Sequence, residues 1–494
     1  MAASSSASMD VRVALLSGRT AVISIPCDAS ASILWQLAQK ELGLSLEALV
    51  TASGDVLKAT DILSEVGVSD AATLTAYARQ PKLASTRNYF GGAFCCLWPE
   101  GCVVTWGDDG YGGDCSSVED KLKDVQLIQS SAEAFVAILS EGSVVTWGEM
   151  SEGGDSAPFQ LLQDARIQAS QGAFAAIRLD GSVVTWGVAE YGGDSSSVRD
   201  RLQNVQHIQA SLQAFAAICS DGSVVTWGSA EYGGDSSAVQ ERLRDVRQIQ
   251  ASTQAFAAIR SDGSVVTWGE ASEGGDSSSV QDQLVGVQKI QASQGAFAAV
   301  RSDGSVVTWG NTDYGGDSSS AHDQLQDVLH IQASVAAFAA LRSDGSVVTW
   351  GNTDQDCGAD SSYVQDQLRD VRHIQATSNA FAALRSDGSV VTWGDASFGG
   401  DSSFVHDQLR DVQHLQASSG AFAAIRSDGS VVTWGHVGWG GDSSCVRDFL
   451  QDVQQIQASV RAFAAICSDG CVVAWGDPRY GGSGTLIQNE LRQV

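Results

Sequence analysis

Carboxylates are the most prominent reactive side chains of this sequence, and many of them directly follow a repeated Trp-Gly pair. Acids gathered on surface loops attract a basic partner electrostatically. The candidate partner-binding acids are Asp108, Asp109, Glu149, Glu190, Glu231, Glu270, Asp313 and Asp354. Trp439 follows the same pair in a later repeat, and we expect it to be an extra, exposed aromatic of the kind that forms interface hot spots. Neutral drift in solvated loops explains the acids equally well.

A second set of aspartates lies in repeated Gly-Gly-Asp-Ser-Ser turns, for example at Asp194, Asp235, Asp317, Asp401 and Asp442. Glycine beside aspartate is a feature of calcium-binding β-rolls, but those repeats place carboxylates more densely on a nine-residue period. We therefore expect these aspartates to hold the turns together, and we predict no metal site from them.

The sequence offers no further catalytic or metal-binding pattern. Its ten cysteines form no Cys-x-x-Cys pair and lack accompanying histidines at zinc spacing, so we expect free thiols. His207, His330, His373 and His414 recur at one position of the repeat, which predicts a half-buried scaffold role. We expect no enzyme activity, no catalytic residue, no cofactor and no metal.

Composition limits the classes of partner. The chain has 494 residues, is 43% hydrophobic and 18% charged, and carries a formal charge of −29. Nucleic-acid binding normally needs a basic face, so we expect protein partners and no direct nucleic-acid contact. The apolar runs are too short to cross a bilayer, and the start MAASSSASMD is not a secretory signal. We expect an intracellular protein, cytoplasmic or nuclear, without membrane association.

The phrase G-[SC]-V-V-[TA]-W-G occurs ten times, with tryptophans from Trp106 to Trp475 spaced by about 41 residues. Such a period indicates one supersecondary unit copied end to end. In residues 289–330, KIQAS, GAFAAVR and SVVTW read as three strands, with a tight hairpin at Asp303-Gly304. Ser320 and Asp323 predict a capping box that opens a short helix. We expect SVVTW to be the inner strand, and Phe297 and Trp309 to fill the seam between units.

The core AAIRSDGSVVTWG and its Gly-rich turn YGGDSS resemble the repeats of the regulator-of-chromosome-condensation family, over roughly 410 residues. The resemblance implies a β-propeller, here of ten three-stranded blades with a short helix each, over residues 87–494. Blades of this size are similar to those of the β-lactamase-inhibitor propellers in the same superfamily. The first repeat lacks the piece that GTLIQNELRQV supplies at the end, so we expect a closed ring, with an open solenoid as the alternative.

Residues 9–80 do not share the repeat and predict two strands, a helix over ILWQLAQKELG and two further strands, which is a β-grasp order. The segment resembles ubiquitin-like domains in its V-x-V-x-L opening, its A-S-G-D-V-L turn and its T-L-T-A-Y strand. The resemblance implies a partner-binding patch, for which Val50 and Tyr77 are the candidates. A module that only orients the chain is the alternative. The chain continues without the family's Gly-Gly tail, so conjugation is not expected. Residues 1–8 are predicted to be disordered and residues 81–86 to be a linker.

These features favour a non-enzymatic interaction scaffold whose propeller loops bind a partner, either a basic protein or a protein of a ubiquitin-linked pathway. The resemblance also implies two alternatives. One is guanine-nucleotide exchange on a small GTPase, although the loops show no insertions of the kind that activity uses. The other is the substrate-binding part of a HERC-type ubiquitin ligase, whose HECT domain would follow the repeats. Because this chain stops at Val494, we expect no ligase activity from it alone.

Overall fold

The computed structural model describes residues 8–15, 20–42, 46–78, 80–99, 101–154, 165–353 and 357–483. The first domain comprises β1 (Ser8–Leu15), β2 (Thr20–Pro26), α1 (Ala31–Leu42), β3 (Leu46–Val50) and β4 (Thr73–Ala78). The sheet order is β2-β1-β4-β3, with β1 parallel to β4 and the other pairs antiparallel. This is the β-grasp arrangement that the sequence predicts. Ser8 already belongs to β1, so the predicted disorder is wrong at that residue, and residues 1–7 lie outside the described part.

The alternation of buried and exposed side chains along β1 explains how the sheet of this domain packs against α1. Val11, Val13 and Leu15 alternate with exposed or half-buried neighbours along β1 and are buried. They join one core with Leu34 and Ala38 of α1. The period of two in the strands thus meets an apolar stripe on the helix.

Each of the ten repeats is a three-stranded antiparallel blade whose strands follow one another in chain order. The first strands are Lys82–Ser85, Val125–Ser130, Arg166–Ala169, Val205–Ala210, Val246–Ala251, Val287–Ala292, Val328–Ala333, Val371–Ala376, Val412–Ala417 and Val453–Ala458. The middle strands are Ala93–Leu97, Ala134–Leu139, Ala173–Ile177, Ala214–Cys219, Ala255–Arg260, Ala296–Arg301, Ala337–Arg342, Ala380–Arg385, Ala421–Arg426 and Ala462–Cys467. The third strands are Val103–Gly107, Val144–Gly148, Val183–Gly187, Val224–Gly228, Val265–Gly269, Val306–Gly310, Val347–Gly351, Val390–Gly394, Val431–Gly435 and Val472–Gly476.

The first strand of every blade is the inner one. Each first strand lies beside the first strand of the next blade, whereas the Val-Val-Thr-Trp strands contact short helices instead. The prediction that the Val-Val-Thr-Trp strand is inner is therefore wrong. Strand propensity identifies that segment as β structure but does not say which edge of the blade faces the axis. We call the three strands inner, middle and outer.

The inner strand of blade 1, Lys82–Ser85, corrects a second prediction, because these residues were expected to be a linker. They pair with Phe94 to Leu97 of the middle strand. The segment reads KLAS and lacks the Ile-Gln or Leu-Gln pair that the other inner strands contain, so its sequence does not reveal the strand.

Blade 10 packs against blade 1 and closes the ring. Ala462 and Ile466 share one buried cluster with Phe94 and Trp106. The Trp106 indole Nε1 donates to the Gly481 carbonyl at 3.0 Å. The Ser85 hydroxyl donates to the carbonyl of Ala458 at 2.9 Å. These contacts make a closed propeller rather than an open stack. The final segment that was expected to complete the ring, residues 484–494, lies outside the described residues.

The same seam recurs between neighbouring blades, as predicted from the aromatic residues. Phe297 and Trp309 stack with ring centroids 5.2 Å apart, and Trp309 Nε1 donates to the Gly274 carbonyl of the preceding blade at 3.0 Å. Gly274 has φ +96°, and a Cβ there would lie 2.6 Å from Phe297 Cδ2. Only glycine satisfies both the left-handed backbone and the close approach.

Short 3-10 helices connect the blades. Those that follow the outer strands are Asp109–Tyr111, Met150–Glu152, Ala189–Tyr191, Ala230–Tyr232, Ala271–Glu273, Thr312–Tyr314, Ala396–Phe398, Val437–Trp439 and Pro478–Tyr480. Those that precede inner strands are Glu119–Lys121, Ser196–Arg201, Ser237–Arg242, Ser278–Gln283, Ser319–Gln324, Gln365–Gln367, His406–Gln408 and Ser444–Phe449. The predicted capping box at Ser320 and Asp323 is wrong, since both residues lie inside the helix Ser319–Gln324, whose N-cap is Ser318. Instead, Asp317 Oδ1 accepts the Ser319 N–H at 2.8 Å, so the turn aspartate orders this helix start.

Candidate functional site

The ring has two different faces around its channel. We call one the loop face; it carries the turns from inner to middle strands and the loops after the outer strands. The other, which we call the hairpin face, carries the Asp-Gly hairpins and the starts of the inner strands. For example, Val205 at the start of an inner strand donates its N–H to Gly181 of the preceding hairpin at 2.8 Å.

The two stretches that vary between repeats lie side by side on the loop face. The residue after each Trp-Gly donates its backbone N–H to the residue before the middle strand: Ser229 to Gln213 at 3.0 Å, and Asp395 to Asn379 at 3.0 Å. Residues that are far apart in each repeat therefore form one continuous surface.

A belt of backbone hydrogen bonds joins the inner-to-middle turns around the channel. Gln171 donates to Leu212 at 2.8 Å, and Leu212 donates to Thr253 at 3.1 Å. The series continues from blade to blade until Ser419 donates to Val460 at 2.9 Å. Because backbone atoms alone make these bonds, the side chains at the belt are free to differ. Two open pockets of the channel wall, of about 740 and 550 Å³, lie beside the belt.

The candidate acids of the loop face fall into two groups. Three of them cap the short helices: Asp108 accepts the Gly110 N–H at 3.0 Å, while Glu149 and Glu270 accept the hydroxyls of the serines two residues on at 3.0 and 3.1 Å. The others are exposed, and their carboxylates make no hydrogen bond or ion pair within the described part of the chain; they are Asp109, Glu190, Glu231 and Asp313. Asp354 lies outside the described residues.

The loop face also carries acids that the sequence reasoning missed. Glu133 and Glu273 lie beside the turns, and Glu273 accepts the Asn311 side-chain amide at 3.1 Å. Burial, followed by the charges of Glu133 and Asp108, raises the pKa of Tyr111.

Trp439 is not the extra, exposed aromatic that its sequence suggests. It is half-buried and occupies the place of Tyr480 in the next blade, at the end of the short helix. Its ring lies 4.5 Å from that of His436 and meets Phe398 edge-on at 5.6 Å. The Arg461 guanidinium lies over it at 4.6 Å. The indole therefore packs within the face rather than standing out from it.

The exposed aromatic side chains of this face are instead Tyr89 and Phe90, which are 66% and 75% exposed and meet edge-on at 5.7 Å. Arg461 lies 5.1 Å from the Tyr89 ring and 4.9 Å from the Tyr480 ring. We call Tyr89, Phe90, Trp439, Arg461 and Tyr480 the aromatic corner. A sequence signal was present, because the turn of blade 1 spans residues 86–92, whereas that of blade 4 spans only 211–213.

Val50 and Tyr77 of the first domain share the sheet face opposite α1. Val50 pairs with Thr75, and Ala48 pairs with Tyr77, so the four side chains are neighbours on that face. Tyr77 is 42% exposed and Val50 is half-buried. The structure thus brings the two candidates together, and their role in binding stays a prediction.

The turn aspartates have the structural role that the sequence predicts. Asp194 Oδ1 accepts the Ser196 N–H at 2.8 Å, and the hydrogen bonds from Ser196 lower the pKa of Asp194. Within the described ranges, no group of three potential metal ligands occurs. His207, His330, His373 and His414 are exposed, so the prediction of half-buried histidines is wrong.

No disulfide bond joins cysteines within the described residues, in agreement with the expectation of unbridged thiols. Burial is the main reason that the pKa values of Cys95 and Cys96 lie well above the ordinary range, and it raises the pKa of Cys467 to about 12. Cys102 and Cys445 are exposed. In the part of the chain that the structure describes, no helix has the length and apolar character needed to cross a membrane.

No protein-family model matches the chain, and no curated protein matches it either. Among solved structures, it is similar to Prp20p of Saccharomyces cerevisiae, a protein studied for binding to Gsp1p and histones, at 14% identity over 65% of this chain and 82% of that one, with a TM-score of 0.33. The ectodomain of the Physcomitrella patens receptor kinase CR4 is 15% identical over 55% and 73% of the two chains, with a TM-score of 0.31. The designed protein Ika8 is 14% identical over 63% and 96%, with a TM-score of 0.29.

Proposed function

We propose that this protein is a non-enzymatic scaffold whose loop face binds a basic segment of a partner protein. The observation that carries the proposal is a set of exposed carboxylates, such as those of Glu190 and Glu231, that have no partner among the described residues and lie on the same face as the aromatic corner. Exposed carboxylates attract cationic side chains, and exposed Tyr and Phe rings supply cation–π and apolar contacts to Arg and Lys. We place such binding inside the cell, in the cytoplasm or the nucleus.

A labelled octa-arginine peptide tests this proposal by fluorescence anisotropy with the full chain. The double variant Glu190→Gln/Glu231→Gln removes two loop-face charges in neighbouring blades. Asp200→Asn/Asp282→Asn is the matched control, because these exposed acids lie in the short helices that precede inner strands. We expect about fivefold weaker binding for the first variant and less than about twofold for the control. Equal losses would mean that net charge, not the loop face, attracts the peptide.

The aromatic corner makes a separate contribution. Phe90→Ala removes an exposed ring and leaves all charges in place, so we expect weaker peptide binding that persists at high salt, where charge attraction is screened. Unchanged affinity of Phe90→Ala for the peptide would show that the aromatic corner is not part of the binding surface. Guanine-nucleotide exchange is the alternative function, and accelerated nucleotide release from a small GTPase would replace the scaffold proposal. A partner of a ubiquitin-linked pathway would be tested by binding of ubiquitin with and without Tyr77→Ala.

A further inference from the structure

The hairpin-face mouth of the channel is basic, in contrast to the rest of this acidic protein. We define the channel rim as the two residues before the central Ile or Leu of each inner strand. In chain order it comprises Pro81, Lys82, Gln126, Leu127, Ala165, Arg166, Gln206, His207, Arg247, Gln248, Gln288, Lys289, Leu329, His330, Arg372, His373, Gln413, His414, Gln454 and Gln455. The rim holds five Lys or Arg residues and four histidines but no carboxylate, although the chain has 58 acidic and 29 basic residues.

A β-bulge explains why both rim residues of a blade reach solvent. In blade 8, Val371 pairs with Arg385 and His373 pairs with Leu384, so Arg372 is the extra residue. The same shift occurs in other inner strands, including those of blades 5, 6, 7 and 9. Bulges re-aim side chains at sheet edges, and here Arg372 and His373 are both exposed.

Among the described residues, no acidic side chain pairs with a rim cation. On the same face, the arginines at the ends of the middle strands pair with the hairpin aspartates, as Arg260 does with Asp262 at 3.2 Å. By contrast, no rim cation forms an ion pair within the described residues. Arg247 and Arg372 donate to backbone carbonyls of the next blade, at 2.8 and 3.0 Å, which orders the guanidinium groups along the rim and leaves their charge uncompensated.

The positively charged and protonatable side chains of the rim lie close to one another across blades 6 to 9. Lys289 Nζ lies 3.3 Å from His330 Nδ1. Partial desolvation is the main cause that lowers the pKa values of the exposed rings of His330 and His373. The charge of Lys289 lowers the pKa of His330 further, and the charges of Arg372, His414 and His330 lower the pKa of His373 further. The carboxylates nearest in sequence, Asp327, Asp370 and Asp411, lie in the turns that precede the strands and do not pair with the rim. Five cationic or protonatable groups therefore form a continuous arc, namely Lys289, His330, Arg372, His373 and His414.

We propose that this arc binds a short acidic peptide segment of a partner protein at the mouth of the channel. Carboxylates would meet the uncompensated cations, and the channel wall beyond the rim offers amide groups, including those of Gln332 and Gln375, to the peptide backbone. A nucleic acid fits less well. Single strands bind where bases stack on aromatic rings, and the rim has no Phe, Tyr or Trp. A long polyanion would also meet the repulsion of a chain with charge −29.

A fluorescein-labelled octaglutamate peptide, titrated with the full chain at low ionic strength, is the probe. The variant Lys289→Gln/Arg372→Gln removes two charges of the arc. The control Arg244→Gln/Arg410→Gln removes two exposed arginines on the same side of the ring that pair with acids of their own short helices, at 2.5 and 3.3 Å. We expect about fivefold weaker binding for the arc variant and less than about twofold for the control. Melting curves by circular dichroism confirm that both variants fold.

Three outcomes would overturn the proposal. Absence of octaglutamate binding to the native chain would show that the arc does not bind acidic peptides. Equal losses in the arc variant and the control mean that the peptide responds to net charge alone. Binding of labelled oligo-dT that is at least as tight as that of octaglutamate, and is lost in the arc variant, assigns the arc to nucleic acid. The proposal is independent of the loop-face function, because the variants of the two experiments lie on opposite faces.

Discussion

Closure of the ring depends on one tryptophan that links the first blade to the last. The change Trp106→Phe keeps an aromatic ring beside Phe94, where the two rings now lie 5.5 Å apart, but removes the N–H that donates to Gly481. Loss of this hydrogen bond costs about 1 kcal/mol, and the smaller ring leaves unfilled space that costs about 1 kcal/mol more. We therefore expect the free energy of unfolding to fall by about 2 kcal/mol, measured by urea denaturation with circular dichroism.

Trp309→Phe is the matched control, because Trp309 makes the same bond to Gly274 at an internal seam. In a closed ring both tryptophans are buried between two blades, so both variants should lower the urea midpoint by similar amounts. In an open stack Trp106 would have no blade behind it. A normal midpoint for Trp106→Phe together with a lowered one for Trp309→Phe would refute the closure of the ring.

The remaining predictions concern backbone conformation at glycine, the pH dependence of stability and binding, and the reactivity of thiols. Gly274→Ala places a Cβ 2.6 Å from the Phe297 ring at a residue with φ +96°, and should destabilise the protein by about 2 kcal/mol or more. Gly438→Ala is the control, because a Cβ there would lie 3.6 Å from its nearest neighbour, His436 Cε1; it should change the urea midpoint little. Hydrogen bonds from serine lower the pKa of hairpin aspartates such as Asp221, so the folded pKa lies below the unfolded value of about 3.9. The stabilisation from these aspartates is complete above the unfolded value and is lost as the pH falls through the folded pKa. Acid unfolding should therefore begin only below about pH 4. Octaglutamate should bind more tightly at pH 5 than at pH 8, because His330 and His373, whose pKa values are lowered, gain protons only below the ordinary histidine value of about 6.5. An affinity that is unchanged, or weaker at pH 5, would show that these two histidines do not contribute to binding. A thiol reagent should modify Cys102 and Cys445 in the native protein and reach the buried cysteines only after unfolding, which mass spectrometry of labelled peptides would show.

The elements that could be predicted from sequence are those whose cause is local. The Asp-Gly hairpin at residues 303–304 needs one residue that tolerates positive φ, which Gly304 supplies at +79°. The seam between Phe297 and Trp309 follows from large apolar side chains in units too small to bury them alone. The same reasoning identified the turn aspartates, because a serine two residues later supplies the bonds.

The elements that could not be predicted depend on how strands pair. Nothing in Lys82–Ser85 distinguishes a linker from a strand until its partner strand is known. The basic arc was missed because a β-bulge, which is a property of register, turns Arg372 and His373 to solvent together. Trp439 was misassigned for a related reason, since its equivalence to Tyr480 appears only when the short helices are superimposed by their place in the ring.

Hydrogen bonds to backbone groups hold the turns at both mouths of the channel, whereas other side chains set the charge at each mouth. This separation explains how one scaffold can carry two surfaces of opposite charge. At the loop face the belt is held by main-chain bonds such as Leu212 to Thr253, and at the hairpin face the turns are held by aspartates and carbonyls. The side chains of the belt residues and of the channel rim, unlike these aspartates, take no part in those bonds. Substitutions there change the charge of a mouth without disturbing the seams, so the affinity of each face can vary independently of the fold and of the other face.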